Sequence, residues 1–506
     1  MSFLNHFSKN KKSFSAKIYA KWTRREINRW ANNPIDTQQQ VFKNLITKAK
    51  NTAFGKDHDF KNIQSPTAFA KEVPIRDYEQ LKTYVDRVVE GEKDVLWPGQ
   101  PLYFAKTSGT TSGAKFIPLT KDSMPTHIRA ARNAILCYIA ETGNSAFVDG
   151  KMIFLQGSPE MGKTNGIKTG RLSGVVAHYV PSYLQKNRLP SWQVNCIEDW
   201  ETKVNAIVNE TIDQDMTVIS GIPSWVQTYF EKLVKKSGKP VGELFKNLEL
   251  FIYGGLNYEP YRPKFEKLIG RKVNSIELYP ASEGFFAFQD QQDDHGMLLQ
   301  LNSGMFYEFI KSEEFFEDNP KVYGLNEVEL NQNYVLIIST NAGLWRYNIG
   351  DTIKFTSLKP YKIIVSGRIK HFISAFGEHV IGSEVENAMK TACQQHQSRI
   401  NEFTVAPQVN PDKGLPYHEW WIEFDKQPKN LEEFAETIDQ SLVEQNSYYK
   451  DLRTGKMLRS IVIRSLTPDS FNKYMKSIGK LGGQNKIPRL SDNRKIADQL
   501  SKFLKS

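Results

Sequence analysis

Between residues 102 and 355 short apolar runs alternate with amphipathic helical stretches, and this alternation restricts the possible folds more than any other feature. MIFL (152–155), TVIS (217–220), LELFIY (248–253) and NSIELY (274–279) have the length and the β-branched or aromatic content of strands. After the second of them Trp225, Val226, Tyr229, Phe230 and Leu233 recur at helical spacing. Strands and helices in alternation bury their apolar faces against one another as layers, so an α/β domain is expected. NYVLIIST, GLWRYNIGD and TIKF then read as three closely spaced strands of a small antiparallel unit. Ahead of the alternation, residues 1–95 read as polar helices. In QQQVFKNLITKAKN the residues Val41, Phe42, Leu45, Ile46 and Ala49 share one face.

The pattern changes after KIIVSGR (362–368). Ser383 and Glu386 have the spacing of a capping box before a helix carrying Val385, Ala388, Met389 and Ala392. HEWWIEFD reads as a strand, Leu431, Phe434, Ile438 and Leu442 as a helical face, and SIVIRSL as a further strand. Two domains are expected: a large one over residues 1–370 and a smaller α+β one over 371–506, joined through GRIKHFISAFGEHV. At 506 residues the chain is long enough for both.

Composition excludes several classes. An apolar content of 40% is that of a globular protein, and no apolar run reaches the ~18 residues of a membrane span. The N-terminus lacks the continuous apolar region of a signal peptide. Cys137, Cys196 and Cys393 have no metal or redox spacing and fit a reducing cytoplasm. The net charge of +11 is read as spread along the chain, with no nucleic-acid motif. A solvated surface that attracts anionic substrates follows, with neither nucleic acid nor membrane as partner.

Three segments have the residue types of a chemical site. TSGTTSGAK (107–115) gives a hydroxyl or a glycine at each position from Thr107 through Ser108, Gly109, Thr110, Thr111 and Ser112 to Gly113, and then Lys115. Glycines let successive backbone N–H groups converge on an anion, hydroxyls add donors, and one lysine adds charge. The Walker pattern does not fit, because Ala114 and Phe116 replace its second glycine and its Ser/Thr. A flexible linker is the alternative. In IELYPASEGFFAFQD (276–290), Glu283 beyond a strand's carboxyl end suits Mg²⁺ and Tyr279 suits a purine, against the alternative of an ordinary solvated turn. In GLWRYNIGDTIKF (343–355), Asp351 between two strands suits a ribose diol, and Gly-Asp equally suits a plain hairpin turn.

Taken in this order, and followed by GRIK, these segments resemble the adenylate-forming superfamily of acyl-CoA synthetases, luciferase and peptide-synthetase adenylation domains. TSGTTSGAKFIPLT, YPASEG, RYNIGD, GLNYEPYRPKFEKL and GGQNKIPRL most resemble the auxin-responsive acyl-acid amido synthetases, the Gretchen Hagen family, over roughly residues 80–490. One departure is that Asn348 stands where the family's Y-R-x-G-D motif has arginine, with Arg346 ahead of Tyr347.

The resemblance implies a large adenylate-forming domain and a mobile C-terminal domain. It implies an ATP-dependent ligase that makes an acyl-adenylate from a small carboxylic acid, then an amide with an amino acid. Thr107 to Gly113 and Lys115 would hold the β- and γ-phosphates, Ser282 and Glu283 the α-phosphate and Mg²⁺, Tyr279 with Gly254 and Gly255 the adenine cleft, and Asp351 and Arg368 the ribose or phosphates. Lys370 would be the hinge and Lys486 a catalytic cation; for both, a solvated lysine is the alternative. Tyr179, Ser182 and Trp225 are candidates for the acyl wall, although aromatic residues in such runs also serve as core. A monomer in the cytoplasm is expected. An acyl-CoA or carrier-protein thioester ligase is the nearest alternative, and a non-catalytic nucleotide-binding regulator the second.

Overall fold

The computed structural model describes residues 9–108, 114–179, 187–255, 258–259, 261–369, 372–373, 380–409, 411, 414–454, 458–481, 486–491 and 493–505. Helices α1 (Lys9–Ala31), α2 (Pro34–Ala49), α3 (Pro66–Glu72) and α4 (Tyr78–Val89) form the N-terminal region. On α2 the buried side chains are Phe42, Leu45, Ile46, Ala49 and also Gln38. The Gln38 amide donates to the carbonyls of Leu301 and Met305 (2.8 and 2.9 Å) and accepts the Tyr307 N–H. This layer closes on Trp345, fully buried among Phe54, Phe60, Phe69 and Trp97, whose indole N–H donates to the Leu96 carbonyl at 3.1 Å.

The strands follow in order: β1 (Tyr103–Ser108), β2 (Ala114–Leu119), β3 (Lys151–Leu155), β4 (Gly162–Thr164), β5 (Ile167–Gly170), β6 (Arg188–Leu189), β7 (Met216–Gly221), β8 (Leu250–Gly254), β9 (Asn274–Pro280), β10 (Phe285–Gln289), β11 (Met297–Leu299), β12 (Met305–Lys311), β13 (Asn333–Thr340), β14 (Tyr347–Leu358) and β15 (Tyr361–Arg368). A four-stranded sheet runs β2-β1-β5-β4, and an eleven-stranded one β12-β13-β14-β15-β11-β10-β9-β8-β7-β3-β6. Within the latter β6, β3, β7, β8 and β9 are parallel, and the near-continuous apolar sequences of β3 and β8 are those of strands covered on both faces. Helices α5 (Met124–Thr142), α6 (Trp200–Thr211) and α7 (Pro223–Ser237) supply cover. Trp225, Val226, Tyr229, Phe230 and Leu233 of α7 are buried, as their spacing predicts.

One local expectation fails. YNIGD and TIKF are one strand, β14, and GLWR belongs to the turn before it, in which Thr340 N–H donates to the Leu344 carbonyl. Gly350 takes φ +84° inside β14, so glycine and aspartate make a local irregularity in a continuing strand and Asp351 does not lie between two strands. Helix α8 (Gly382–Gln395) follows the expected segment; the side chain of Ser383 lies outside the described residues, and Glu386 receives the Arg489 guanidinium at 3.2 Å.

Packing divides the chain into two units, residues 1–311, 318–349 and 354–364 in the larger, and 312–317, 350–353 and 365–506 in the smaller. The smaller unit holds the sheet β18-β19-β20, formed by Arg399–Gln408, Tyr417–Lys426 and Val462–Leu466 after the short pair β16 (Phe372–Ile373) and β17 (Val380–Ile381). On one face Trp420 and Ile422 pack with Val385, Ala388 and Met389 of α8 and with Phe434, Ile438 and Leu442 of α9 (Leu431–Gln445). On the other, Trp421 packs with Phe471, Tyr474 and Met475. No helix among the described residues is long and apolar enough to cross a membrane.

Candidate active site

In open α/β sheets ligands are received beyond the carboxyl ends of the parallel strands. Here the register sets Leu155 of β3 beside Gly221 of β7, and Gly254 of β8 beside Leu278 of β9. Gly254 permits a close approach, since a Cβ on it would stand 2.5 Å from the Leu278 carbonyl oxygen. Gly255 follows at φ +78°, open to glycine without steric cost. Tyr279 is buried at the end of β9, its ring centroid 4.9 Å from that of Phe286.

From Pro280 the chain reverses into β10. Ala281 N–H donates to the Gly284 carbonyl (2.8 Å) and Gly284 N–H to the Ala281 carbonyl (3.3 Å), so Ser282 and Glu283 are the two residues of a tight hairpin tip. Both are half-buried. A Cβ on Gly284 would strike the Met305 sulfur, so the tip is packed from beneath and a larger residue there would have to displace that side chain. Thus Gly254, Gly255, Tyr279, Ser282 and Glu283 are brought to one edge of the sheet.

Helix α5 runs along β9 in the opposite direction. Near its end the Tyr138 hydroxyl accepts from Asn274, at the start of β9 (2.7 Å). Just before its start Asp122 accepts from the Asn341 side chain (3.0 Å), and Asn341 N–H donates to the carbonyl of Gly304, next to Met305. His127, one turn into α5, is buried, and burial pushes its imidazole down to about 4, so it is neutral near pH 7. Its Nδ1 has no hydrogen-bond partner among the described residues. It could not be read from the chain, because the surrounding PTHIRAAR reads as a polar helix start.

The glycine-hydroxyl segment spans a hairpin. β1 and β2 pair Thr107 with Lys115 and Ser108 with Ala114. Gly109, Thr110, Thr111, Ser112 and Gly113 lie outside the described residues, as do Ser182, Lys370 and the side chains of Ser108 and Arg368. Lys115 is half-buried, with its ammonium 5.4 Å from the centre of the Tyr78 ring. The Tyr78 hydroxyl accepts the Phe116 N–H at 2.9 Å, and burial pushes that hydroxyl's pKa up. Tyr78 opens α4, whose start is fixed by reciprocal bonds between Asp77 and Gln80. That capping box in DYEQ was the sequence signal by which Tyr78 could have been found.

Tyr179 donates to the Tyr103 hydroxyl of β1 at 3.3 Å; desolvation first, and then Tyr103, raise its pKa. Trp225 lies in the core, its ring 4.7 Å from that of Trp200. Arg346 is buried and structural. Its guanidinium pairs with Glu308 at 2.9 Å and donates to the Ala70 and Val73 carbonyls around the end of α3. Burial raises the Glu308 carboxyl against the opposing pull of that arginine.

In the smaller unit Asp351 is buried in β14, flanked by the Gly350 carbonyl, which accepts the Ile369 N–H (2.7 Å), and by Thr352, whose hydroxyl accepts from Ser366 (3.0 Å). Lys486 is exposed. It opens a segment held along β18, where Val405 N–H donates to the Arg489 carbonyl and Ser491 N–H to the Val405 carbonyl.

Three domain models match in chain order: the GH3 family N-terminal domain at residues 23–195, its central domain at 298–368 and its C-terminal domain at 383–495. The chain belongs to the GH3 family. Among its GH3 relatives, a jasmonoyl–L-amino acid synthetase of Nicotiana attenuata is 21% identical over 89% of this chain and 90% of its own. An indole-3-acetic acid-amido synthetase of Arabidopsis thaliana is likewise 21% identical, over 92% and 91%. The solved structure of a GH3.15 acyl acid amido synthetase with 2,4-DB superposes on the GH3 chain with a TM-score of 0.78 at 17% identity, covering 100% of this chain and 98% of the other. A 2-hydroxyisobutyryl-CoA ligase solved with an acyl-AMP shares the fold at a TM-score of 0.59 and 12% identity, over 92% and 91%. This GH3 protein is therefore a ligase with the fold of the adenylate-forming enzymes.

Proposed function

We propose that the protein joins a small carboxylic acid to an amino acid through an acyl-adenylate. The observation that carries this reading is the gathering of Gly254, Tyr279 and the Ser282–Glu283 tip at the carboxyl edge of the parallel strands, in a GH3 chain. A free carboxylate would have to expel oxide, whereas a mixed anhydride expels AMP. In the first step a carboxylate oxygen bonds to the α-phosphorus of ATP while the bond to pyrophosphate breaks. In the second an amine bonds to the acyl carbon, AMP leaves and the amine gives up a proton.

In this reading Thr107, the hydroxyls and N–H groups of residues 108–113 and Lys115 hold the β- and γ-phosphates. Tyr78 limits the freedom of Lys115 and of the strand behind it. Tyr279 stacks on adenine, with Gly254 and Gly255 leaving room for it. Ser282 donates to the α-phosphate, Asp351 takes the ribose hydroxyls, and Arg368 and Lys486 offset negative charge. Lys370 acts as the hinge. Tyr179, Ser182 and Trp225 border the acyl group.

The residues suit Mg²⁺. Glu283 is a single half-buried carboxylate at a turn, and no cluster of three acidic, histidine or cysteine side chains occurs among the described residues. Glu283 would hold Mg²⁺ as its one protein carboxylate, in keeping with an ion that is usually bound through one or two carboxylates together with substrate phosphates. Bound there, it would supply charge neutralisation on the phosphates.

The test is carboxylate-dependent exchange of labelled pyrophosphate into ATP across a panel of acids, then mass spectrometry of the product with amino acids or thiols as acceptor. An amide with an amino acid is expected. A thioester in preference to an amide would overturn the assignment of the second step, and silence across the panel would overturn the first.

A further inference from the structure

Helix α1 has two apolar faces. Ala20, Thr23, Ile27 and Trp30 are buried against the rest of the larger unit. Phe14, Ile18 and Trp22, four residues apart, form a stripe on the opposite side, at 65%, 57% and 55% exposure. Its geometry is held by neighbours: Tyr19 stacks on Trp22 at 5.8 Å, and Arg132 of α5 lies 5.4 Å from the centre of the Tyr19 ring. The helix contains eight lysines and arginines and one glutamate, a net +7, whereas the whole chain carries +11. The charge read as dispersed is thus largely gathered here. Lys17, Lys21, Arg25 and Arg29 are exposed and run beside the stripe at the same spacing, and no ion pair involves them among the described residues.

We infer that α1 seats the protein on an anionic lipid surface, with Phe14, Ile18 and Trp22 entering the interface and Lys17, Lys21, Arg25 and Arg29 on the headgroups. An aromatic and aliphatic stripe bordered by lysine and arginine is the composition of an interfacial helix. Charge complementarity selects this occupant. A second copy docked face to face would set +7 against +7. A nucleic acid would engage the cations and leave the three apolar side chains in water. This departs from the sequence-based expectation of no membrane partner; it concerns a peripheral contact and not a span.

Cosedimentation of the full chain with vesicles tests it, using phosphatidylcholine alone and phosphatidylcholine with about one-third phosphatidylserine. Binding is expected to the anionic vesicles only, and to fall as salt is raised to several hundred millimolar. The triple change Phe14→Ser, Ile18→Ser and Trp22→Ser should weaken binding about 100-fold. The separate change Lys17→Gln, Lys21→Gln and Arg25→Gln should weaken it by a similar factor and flatten the salt dependence. Both variants should keep wild-type pyrophosphate exchange, since the residues are exposed and none belongs to the proposed catalytic set. No binding to anionic vesicles, or binding that survives the apolar triple change, would overturn the inference. So would a dimer that the triple change dissociates, or nucleic-acid binding that it leaves intact.

Discussion

Glu283 and His127 differ in solvation: the first is half-buried and the second fully buried. Glu283 is half-buried at a two-residue tip. Glu283→Gln keeps the shape and removes the charge. Pyrophosphate exchange is expected to fall at least ~100-fold, with a stability change within about 0.5 kcal/mol in calorimetry. Retention of wild-type exchange would remove Glu283 from the mechanism. His127 has its consequence in stability. Its folded value, about 4, lies below the ordinary 6.5, so the neutral form is favoured in the folded protein and the unfolded chain binds the proton first as pH falls. This contribution is complete above pH 6.5 and is lost between 6.5 and 4, amounting to about 2 kcal/mol by pH 5. Denaturant unfolding of wild type and His127→Gln should diverge in slope over that window and run parallel above pH 7. Parallel curves throughout would show that His127 is not held neutral by the fold.

At the scale of elements, the site depends on close contact between strands. A Cβ at Gly254 would meet the Leu278 backbone carbonyl, which cannot swing aside as a side chain would. Gly254→Ala should therefore cost about 2–3 kcal/mol and displace the end of β9 with Tyr279, so that ATP affinity falls along with the melting temperature. Tyr78→Phe separates two roles in the neighbouring hairpin. It keeps the ring facing Lys115 and leaves the Phe116 N–H without its partner, at about 1 kcal/mol. A Gly254→Ala protein with wild-type melting would show that the two strands can part freely. The same elements show what a sequence can and cannot reveal. β3 and β8 were legible because strands buried on both faces must be continuously apolar, and α7 because five buried side chains repeat at its period. β14 was misread, since a Gly-Asp pair signals a turn unless the neighbouring strands hold the chain straight, and only the folded sheet supplies that. The hairpin tip at Ser282–Glu283 was legible as a turn in YPASEG; its place over Met305 depends on the packing of a later strand, and the burial of Gln38 on bonds to Leu301 and Met305, more than 250 positions away.

Across the whole molecule, each of the two units has its own core, and the proposed site residues are divided between them. Lys115, Tyr279 and Glu283 belong to the larger; Asp351, Arg368 and Lys486 belong to the smaller. Composition could not show that division, nor that most of the net charge lies on the first helix. It has a kinetic consequence if the smaller unit serves the two half-reactions with different side chains. Lys486 is exposed and outside that unit's core of Trp420, Phe434 and Leu442, so its replacement should leave that core undisturbed. A cation that neutralises charge during attack on the α-phosphorus matters to the first step alone, because by the second step pyrophosphate has left and the electrophile is the acyl carbon. Lys486→Ala is therefore expected to slow pyrophosphate exchange by ~100-fold or more, while chemically synthesised acyl-adenylate is converted to amide at the wild-type rate. Equal losses in the two assays would mean that Lys486 acts on the whole fold or on nucleotide binding generally. An unchanged exchange rate would return it to the solvated surface.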